Sequence, residues 1–260
     1  MLRNSASELG LDASLWEAGA VRRRIETLDA LEMRSGPAVE SLRVRLEAAN
    51  SAVYERIRGK PEELMQWIEG ERGAASGLSY DWRDELVSGV LALKEPRATK
   101  ELAPEMVFYQ PTPVRHVLEL IEKAGITDRD AVVDLGSGMG HVPLLVEMLT
   151  GAWCEGIEVE GAYVACAREC AERLGRRRVQ FVEADARSAD FAIGTVFYLY
   201  TPFTGEMLAA VLEKLRVESE RRAMKVCTLG PCAEIVAREV WLRASGTVEE
   251  GRVAVFNTGR

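Results

Sequence analysis

The 260-residue chain lacks the long apolar runs and the paired cysteines that would place it in a membrane or an oxidising compartment. No uninterrupted apolar stretch approaches the roughly 18 residues of a membrane span. The first residues lack the apolar core of a signal peptide. Its five cysteines are an odd number without a C-x-x-C pair, which favours reduced, packed thiols and offers no zinc site. We therefore expect a cytoplasmic protein without a metal centre.

The chain also has no excess of positive charge. Its 33 Lys and Arg stand against 41 Asp and Glu, a formal net charge of −8. That balance argues against a chain-wide affinity for phosphate backbones. The run 22–24, three arginines, lies in an amphipathic pattern beside Glu17, Glu26 and Asp29, so a solvated helix face explains it. We do not expect nucleic acid as a partner.

Residues 1 to about 100 have the apolar spacing of amphipathic helices and no strand pattern. The spacing predicts a helix from about Leu11 with Asp12 as its N-cap, and further helices over about 37–58, from Pro61 and over about 81–93. We expect a helical domain over 1–100 that serves as a lid, a substrate-binding surface or a homodimer interface, since amphipathic helices offer apolar surface.

From about residue 105, strand patterns alternate with helical ones. The predicted strands are 131–135, 152–158, 179–183, 195–200 and 224–229, and the end of the chain predicts a hairpin of 240–243 with 253–256. The predicted helices are 114–124, 142–150, 162–174 and 205–215. Alternating βα units imply a parallel, doubly wound sheet. The fold class expected over 101–260 is therefore α/β, with a mostly parallel sheet of seven strands.

The most informative stretch runs from Val132 to Val142, V-V-D-L-G-S-G-M-G-H-V. An apolar run ends in an acid, and three glycines follow at alternate positions. Glycine permits positive φ and close approach of a ligand, and N–H groups left free at a helix start suit an anion. The order D-x-G-x-G-x-G differs from the G-x-G-x-x-G of dinucleotide folds. The stretch resembles motif I of the class I S-adenosylmethionine (SAM) methyltransferases, which implies that the glycines make room for the methionine part of SAM.

Acidic residues stand at the ends of three successive predicted strands: Asp134, Glu158 and Asp185. In a doubly wound sheet the ligand lies beyond the carboxyl ends of the strands. One carboxylate there could organise the SAM ammonium, the next could accept from both ribose hydroxyls, and the third from the adenine amino group. Together with the glycine turn, these acids favour SAM over a nicotinamide cofactor, with S-adenosylhomocysteine as the product.

One helix earlier stands Tyr109-Gln110-Pro111-Thr112-Pro113. It resembles the Y-x-P-T-P element of the small protein-lysine methyltransferases that modify the adenine nucleotide translocase and the ATP-synthase c subunit, and it is similar to the arrangement in the non-SET histone-lysine methyltransferases. The resemblance covers roughly 109–202. It implies that Tyr109 and Thr112 cover the methionine end of SAM; alternatively, Thr112 only caps the next helix. The expected cofactor-binding residues are Tyr109, Thr112, Asp134, Gly136, Ser137, Gly138, Gly140, Glu158 and Asp185.

The segment Tyr200-Thr201-Pro202-Phe203 follows the fourth predicted strand, where many methyltransferases hold the acceptor. It is similar to the N/D-P-P-Y/F run of enzymes that methylate planar nitrogens but lacks the Asn or Asp, which argues against base methylation. The expected catalytic residues are Tyr200, Thr201 and Phe203, which would line the methyl-transfer channel, with the carbonyls of Tyr200 and Thr201 as acceptors. A plain strand-to-helix turn with a buried aromatic ring is the alternative.

No general base stands out among the side chains. We expect His141 to cap the helix after the glycine turn and His116 to be structural. The resemblance implies methyl transfer to an amine, with a protein lysine as the preferred acceptor. Two alternatives remain open: methylation of a small metabolite with the helical domain as a lid, and a non-catalytic SAM-binding module.

Overall fold

The computed structural model describes residues 13–32, 34–68, 77–97, 101, 103–249 and 251–259. The chain divides into two compact units, residues 1–75 with 79–92 and residues 76–78 with 93–260. The predicted N-cap Asp12 and the predicted helix start at Leu11 lie outside the described residues. None of the helices within the described ranges is long and apolar enough to cross a membrane.

The described part of the first unit is helical, as the apolar spacing predicts. Its elements are α1 (Ala13–Leu31), α2 (Pro37–Gly59), a 3₁₀ turn (Pro61–Glu63) that leads into α3 (Leu64–Ile68), and α4 (Trp82–Leu91). Pro37 opens α2, where a missing N–H costs nothing. Asp81 and Asp84 form a capping box at the start of α4. Buried apolar side chains, among them Ile57, Leu64, Trp67 and Leu86, form its core.

The second unit alternates strands and helices. Its elements are α5 (Val114–Ala124), β1 (Ala131–Leu135), α6 (His141–Thr150), β2 (Trp153–Glu158), α7 (Gly161–Arg173), β3 (Val179–Glu183), β4 (Val196–Leu199), α8 (Gly205–Ser219), β5 (Lys225–Thr228), α9 (Cys232–Val236), β6 (Leu242–Ala244) and β7 (Ala254–Thr258). The expected α/β fold is confirmed. The pattern did not predict α9, because a helix of five residues is too short to display a period.

The strands form one seven-stranded sheet of order β3-β2-β1-β4-β5-β7-β6. The first five pair in parallel, and β7 runs antiparallel to both β5 and β6. Chain order reverses between β1 and β4, so a crevice opens beyond the carboxyl ends of these strands. Asp134 in β1 pairs with Gly156 in β2 and Tyr198 in β4, which places the predicted acid at the centre of that edge.

Candidate functional site

A cavity of about 810 Å³ lies at the carboxyl ends of the parallel strands. It is lined by every predicted site residue except Gly138 and Gly140. The sheet therefore brings together the acids of three strand ends, the segment before α5 and the loop after β4. The predicted residues that line it are Tyr109, Thr112, Asp134, Gly136, Ser137, Glu158, Asp185, Tyr200, Thr201 and Phe203.

The Asp134 carboxyl group lies at the cavity wall and is 4% exposed. Burial, and secondarily the negative charge of Glu158, raise its pKa to about 8. No described residue donates a hydrogen bond to its side chain. Ser137 also lines the cavity, and its buried hydroxyl has no hydrogen-bond partner among the described residues. Buried polar groups are normally paired, so both groups are suited to a polar, cationic ligand.

The glycine turn has the conformation that its sequence predicts. Gly136, Gly138 and Gly140 have φ of +82°, +52° and +84°, a region that side chains disfavour. A Cβ on Gly136 would overlap Pro202, and a Cβ on Gly138 would overlap the Tyr109 ring. A side chain on either glycine would therefore clash with the protein itself, and the expectation that the glycines make room for SAM stays a prediction.

Four N–H groups of this turn bond to the protein itself. The N–H groups of His141 and Val142 at the start of α6 have no hydrogen-bond partner among the described residues, so the expectation of N–H groups free for an anion stays a prediction. Gly136 and Ser137 both donate to the Ile157 carbonyl, at 2.9 and 3.1 Å, and Gly140 donates to the Ser137 carbonyl at 2.9 Å. Gly138 donates to Glu158 Oε2 at 2.8 Å. The bonds to β2 and to its terminal acid fix the turn against the neighbouring strand.

Glu158 links the turn to the segment after β2. Besides Gly138, its carboxylate accepts the N–H groups of Val159 at 2.7 Å and Glu160 at 2.8 Å, both at Oε1. Oε1 thus accepts two hydrogen bonds and Oε2 one, so Oε2 alone keeps a lone pair for a further donor. The predicted acceptance of both ribose hydroxyls would need a second site on this carboxylate, and the ribose role stays a prediction.

Asp185 lies at the cavity but is already ion-paired. Its carboxylate contacts the Arg187 guanidinium, the shortest distance being 2.6 Å, and accepts the Arg187 N–H at 2.8 Å. The arginine holds the pKa of this carboxyl below its usual value. A bound adenine amino group would share the carboxylate with Arg187, a neighbour whose involvement the sequence pattern did not signal.

The segment before α5 contacts α6, α7 and β4. The Tyr109 hydroxyl shares a hydrogen bond with His141 Nδ1 at 2.8 Å, and its ring lies 5.1 Å from that of Tyr163. The Thr112 hydroxyl shares one with the Tyr198 hydroxyl at 3.2 Å. Pro113 occupies the N-cap position of α5, so the alternative that Thr112 only caps this helix is wrong.

The two histidines do not supply a general base. His141 opens α6, whose N-cap is Gly140 without a side-chain cap bond, so the predicted capping role of His141 is wrong. Burial lowers the pKa of His141 to about 4, which leaves it neutral at physiological pH. His116 bonds Glu119 and the Gly77 carbonyl within its own unit, in agreement with the structural role expected for it.

In the loop after β4, two of the three predicted catalytic side chains have structural contacts. The Thr201 hydroxyl donates to the Leu229 carbonyl at 2.9 Å and accepts the Cys232 N–H at 3.2 Å. Phe203 is 5% exposed and belongs to the apolar core. Tyr200 is half-buried. The loop does line the cavity, so a role in catalysis for its carbonyls and aromatic rings stays a prediction.

Sequence reasoning missed several lining residues. Tyr163 lies in the first turn of α7, and its place just after Glu158 in the chain was a usable signal. The chain between α4 and α5 contributes Glu95, Glu101 and Phe108, and the sequence there has no periodic pattern to mark them. Among the described residues, no group of three or more His, Cys, Asp or Glu could hold a metal ion.

No family model matches the chain. A release factor glutamine methyltransferase from Chlorobaculum tepidum is 27% identical over 217 residues, which cover 81% of this chain and 67% of that protein. An RNA methyltransferase from Salinibacter ruber in complex with S-adenosyl-L-homocysteine is 27% identical, with a TM-score of 0.45, and covers 57% of this chain and 92% of its own. A ribosomal protein L11 methylase from Lactobacillus delbrueckii subsp. bulgaricus is 17% identical, with a TM-score of 0.47, and covers 61% of this chain and 83% of its own.

The sheet order and the site at its carboxyl edge define a class I methyltransferase fold. The chain is a SAM-dependent methyltransferase, and SAM is its cofactor. The residues present fit that cofactor, because Asp134 and Ser137 both line the cavity and carry side-chain polar groups that no described residue pairs. We expect Asp134 to hold the ammonium group and Glu158 the ribose.

Proposed function

We propose that this enzyme methylates an amine on a protein, and that the acceptor is a lysine side chain. The observation that carries the proposal is the charge of the cavity. Its described lining contains six acidic residues and neither lysine nor arginine, and burial keeps its one histidine neutral. Because Asp185 is paired with Arg187 and the raised pKa of Asp134 keeps it protonated at neutral pH, the other four acids supply most of the negative charge. The lining acids are Glu95, Glu101, Asp134, Glu158, Glu160 and Asp185.

Such a cavity attracts cations and repels phosphates and carboxylates. A lysine ammonium entering it would be attracted by the carboxylates, and its proton could leave to solvent before the reaction. SAM, when bound, supplies an electrophilic methyl group on a sulfonium centre. A neutral amine attacks such a group without metal and without a base held in the site, so the lack of a general base is compatible with this acceptor.

The residues of this chain then have three tasks: to orient the amine, to hold its N–H groups and to exclude water. Tyr200, Phe203 and Met207 supply an apolar and aromatic wall that tolerates a cationic centre. Thr201 lies in the same lining, and no described residue donates a hydrogen bond to its carbonyl. This carbonyl is therefore our candidate acceptor for an amine N–H.

The rim of the cavity supports a protein rather than a metabolite as substrate. Val107 and Phe108 line the cavity yet are 39% and 70% exposed. Exposed aromatic side chains next to a site are typical anchors for a protein partner. A small metabolite held inside the cavity would leave them in water.

A glutamine amide is the second candidate, favoured by the similarity to the release factor glutamine methyltransferase over 81% of this chain. An amide nitrogen is a weak nucleophile whose two N–H groups need planar acceptors. The N/D-P-P-Y/F run would supply them, but here Tyr200 replaces the Asn or Asp. The Pro202 carbonyl already accepts the Val107 N–H at 3.1 Å. These differences favour the amine.

The test is methyl-labelled SAM with the purified enzyme and a methylation-depleted lysate separated by mass. We expect label in proteins, with mass spectrometry locating it on lysine. Label on glutamine, with a release factor as a direct substrate, would replace lysine by the second candidate. Label confined to low-mass compounds would refute a protein acceptor, and no transfer to any fraction while S-adenosylhomocysteine still binds would support a non-catalytic module.

A further inference from the structure

Residues 105–107 cross the loop that follows β4 and pair with residues 202–204. The Thr204 N–H donates to the Glu105 carbonyl at 2.8 Å, and the Val107 N–H donates to the Pro202 carbonyl at 3.1 Å. Between them, Met106 and Phe203 form an isolated antiparallel bridge. This short ladder joins the segment before the glycine turn to the loop that lies after β4.

The Glu105 side chain strengthens the ladder by capping α8. Its Oε1 accepts the Glu206 N–H and its Oε2 the Met207 N–H, both at 2.9 Å, from a position about 100 residues upstream. Thr204 occupies the N-cap position, but its side chain makes no capping bond. Gly205 has φ +54°, and a Cβ there would overlap the Glu105 carboxylate. The local cap is therefore replaced by a distant one.

The two segments joined here both contribute residues to the cavity lining. Forward from Val107, the chain reaches Tyr109 and Thr112, the predicted cover of the SAM methionine end. Backward from Pro202, it reaches Thr201 and Tyr200, the predicted acceptor side. All four of these residues line the cavity. We call Tyr109 and Thr112 the cofactor wall, and Tyr200 and Thr201 the acceptor wall. The ladder connects the chain segments that carry the two walls.

We infer that Glu105 is a positioning residue that holds the cofactor wall and the acceptor wall at a fixed separation by joining residues 105–107 to the start of α8. In-line transfer needs the reacting atoms about 3 Å apart, and a misplacement of about 1 Å can cost about 100-fold in rate. The inference concerns the geometry of the SAM site and does not depend on which nitrogen accepts the methyl group.

A matched control exists in the same unit. The Asp130 carboxylate accepts three hydrogen bonds: two from Thr127, through its N–H at 2.9 Å and its hydroxyl at 3.1 Å, and one from the Thr195 hydroxyl at 3.0 Å, 65 residues away. It stands just before β1, at the edge of the sheet opposite the cavity. Glu105→Ala and Asp130→Ala therefore remove comparable links, and only the first lies between the two walls.

The experiment compares Glu105→Ala, Glu105→Gln and Asp130→Ala by thermal unfolding, by calorimetry with S-adenosylhomocysteine and by amide hydrogen exchange. We expect both alanine variants to lower the unfolding temperature by similar amounts. Only Glu105→Ala should speed exchange together in residues 107–112 and 200–207, and it should weaken S-adenosylhomocysteine binding about tenfold more than the control does. Glu105→Gln should recover part of that affinity, because its amide oxygen still accepts one N–H.

Two results would overturn the inference. One is faster exchange confined to the first turn of α8, which would make Glu105 a helix cap and nothing more. The other is an affinity loss in Glu105→Ala no larger than in Asp130→Ala. Should Glu105→Ala fail to fold, Glu105→Gln alone decides, through its exchange in the two segments and its affinity. Because the probe is S-adenosylhomocysteine, none of these results depends on a lysine acceptor.

Discussion

The turn after β1 and the loop after β4 lie at the same edge of the sheet, yet different interactions hold their shapes. The first bends at three glycines with positive φ, and four of its N–H groups bond within the turn or to the adjacent strand β2. The second bends at Thr201, a β-branched residue with φ +42°. Its shape is held by Leu229 and Cys232, beyond β5, and by Glu105, far upstream.

This difference separates a shape set by residue type from a shape set by distant contacts. Glycine alone makes positive φ inexpensive, so the turn after β1 follows from its own sequence. A threonine in that region persists only where the surroundings impose it. The turn after β1 should therefore lose its conformation when one of its own glycines is replaced. The loop after β4 should lose its conformation when its contacts to distant residues are removed.

The largest effect is expected from Gly138→Ala. Alanine at φ +52° costs about 1–2 kcal/mol, and overlap of its Cβ with the Tyr109 ring costs about 1–3 kcal/mol more. Urea denaturation should show a loss of about 3 kcal/mol in the free energy of unfolding. Gly246→Ala, with no atom within 4 Å of its Cβ, is the control and should be near neutral. Equal stability of the two variants would contradict a turn set by glycine.

Next in size is Asp134→Asn. Loss of a charge-assisted hydrogen bond to the ammonium group costs about 1.5–3 kcal/mol, or roughly 10- to 100-fold in affinity for S-adenosylhomocysteine. The ligand-free variant should nevertheless be more stable than the wild type at neutral pH, because it removes a buried, unpaired carboxyl. Calorimetry and denaturation on the same samples check both signs. Unchanged affinity would remove Asp134 from the cofactor site.

The same substitution predicts a pH dependence. The folded pKa of Asp134, about 8, lies above its unfolded value, so the folded state holds a proton that the unfolded state has lost. Its stabilising contribution is complete below the unfolded pKa and is lost as pH rises through 8, at up to about 1.4 kcal/mol per pH unit. Denaturation curves at several pH values should show Asp134→Asn gaining on the wild type as pH rises. If the unfolding free energies of the two proteins changed with pH in parallel, the pKa of the Asp134 carboxyl would not be raised in the folded state.

The sequence could predict the features that are set by residue type or local pattern, and it could not predict those that are set by a rotamer or by distant contacts. The alternation of strands and helices, the acids at strand ends and the glycine turn were predictable, because each depends on hydrophobic pattern or on one residue type. The pairing of Asp185 with Arg187 and the capping of α8 by Glu105 were not. The first depends on a rotamer, and the second joins residues about 100 positions apart. The occupied N–H groups of the glycine turn depend on the register of β2, which no local pattern encodes.

A smaller effect should come from substitutions of Thr201, and their order matters. Thr201→Ala keeps the positive φ and loses the bonds to Leu229 and Cys232, a loss of about 2 kcal/mol. Thr201→Gly loses the same bonds but relieves about 1–2 kcal/mol of backbone strain, so it should be nearly neutral. Thr201→Ser keeps the hydroxyl and should resemble the wild type. Thermal unfolding ranks the three, and an alanine variant as stable as the glycine variant would mean that φ at 201 is not strained.

The smallest effect on stability should come from Phe108→Ala, which tests the acceptor half directly. Its side chain is 70% exposed, so truncation should change the free energy of unfolding by less than about 0.5 kcal/mol. If a protein acceptor buries this ring, KM for transfer into the protein fraction of a lysate should rise about fivefold, the equivalent of about 1 kcal/mol. S-adenosylhomocysteine affinity should not change. Ile193→Ala, 52% exposed and outside the cavity lining, is the control. An equal KM in both variants would mean that the acceptor does not contact this rim, and the charge of the cavity would then be the remaining support for a lysine.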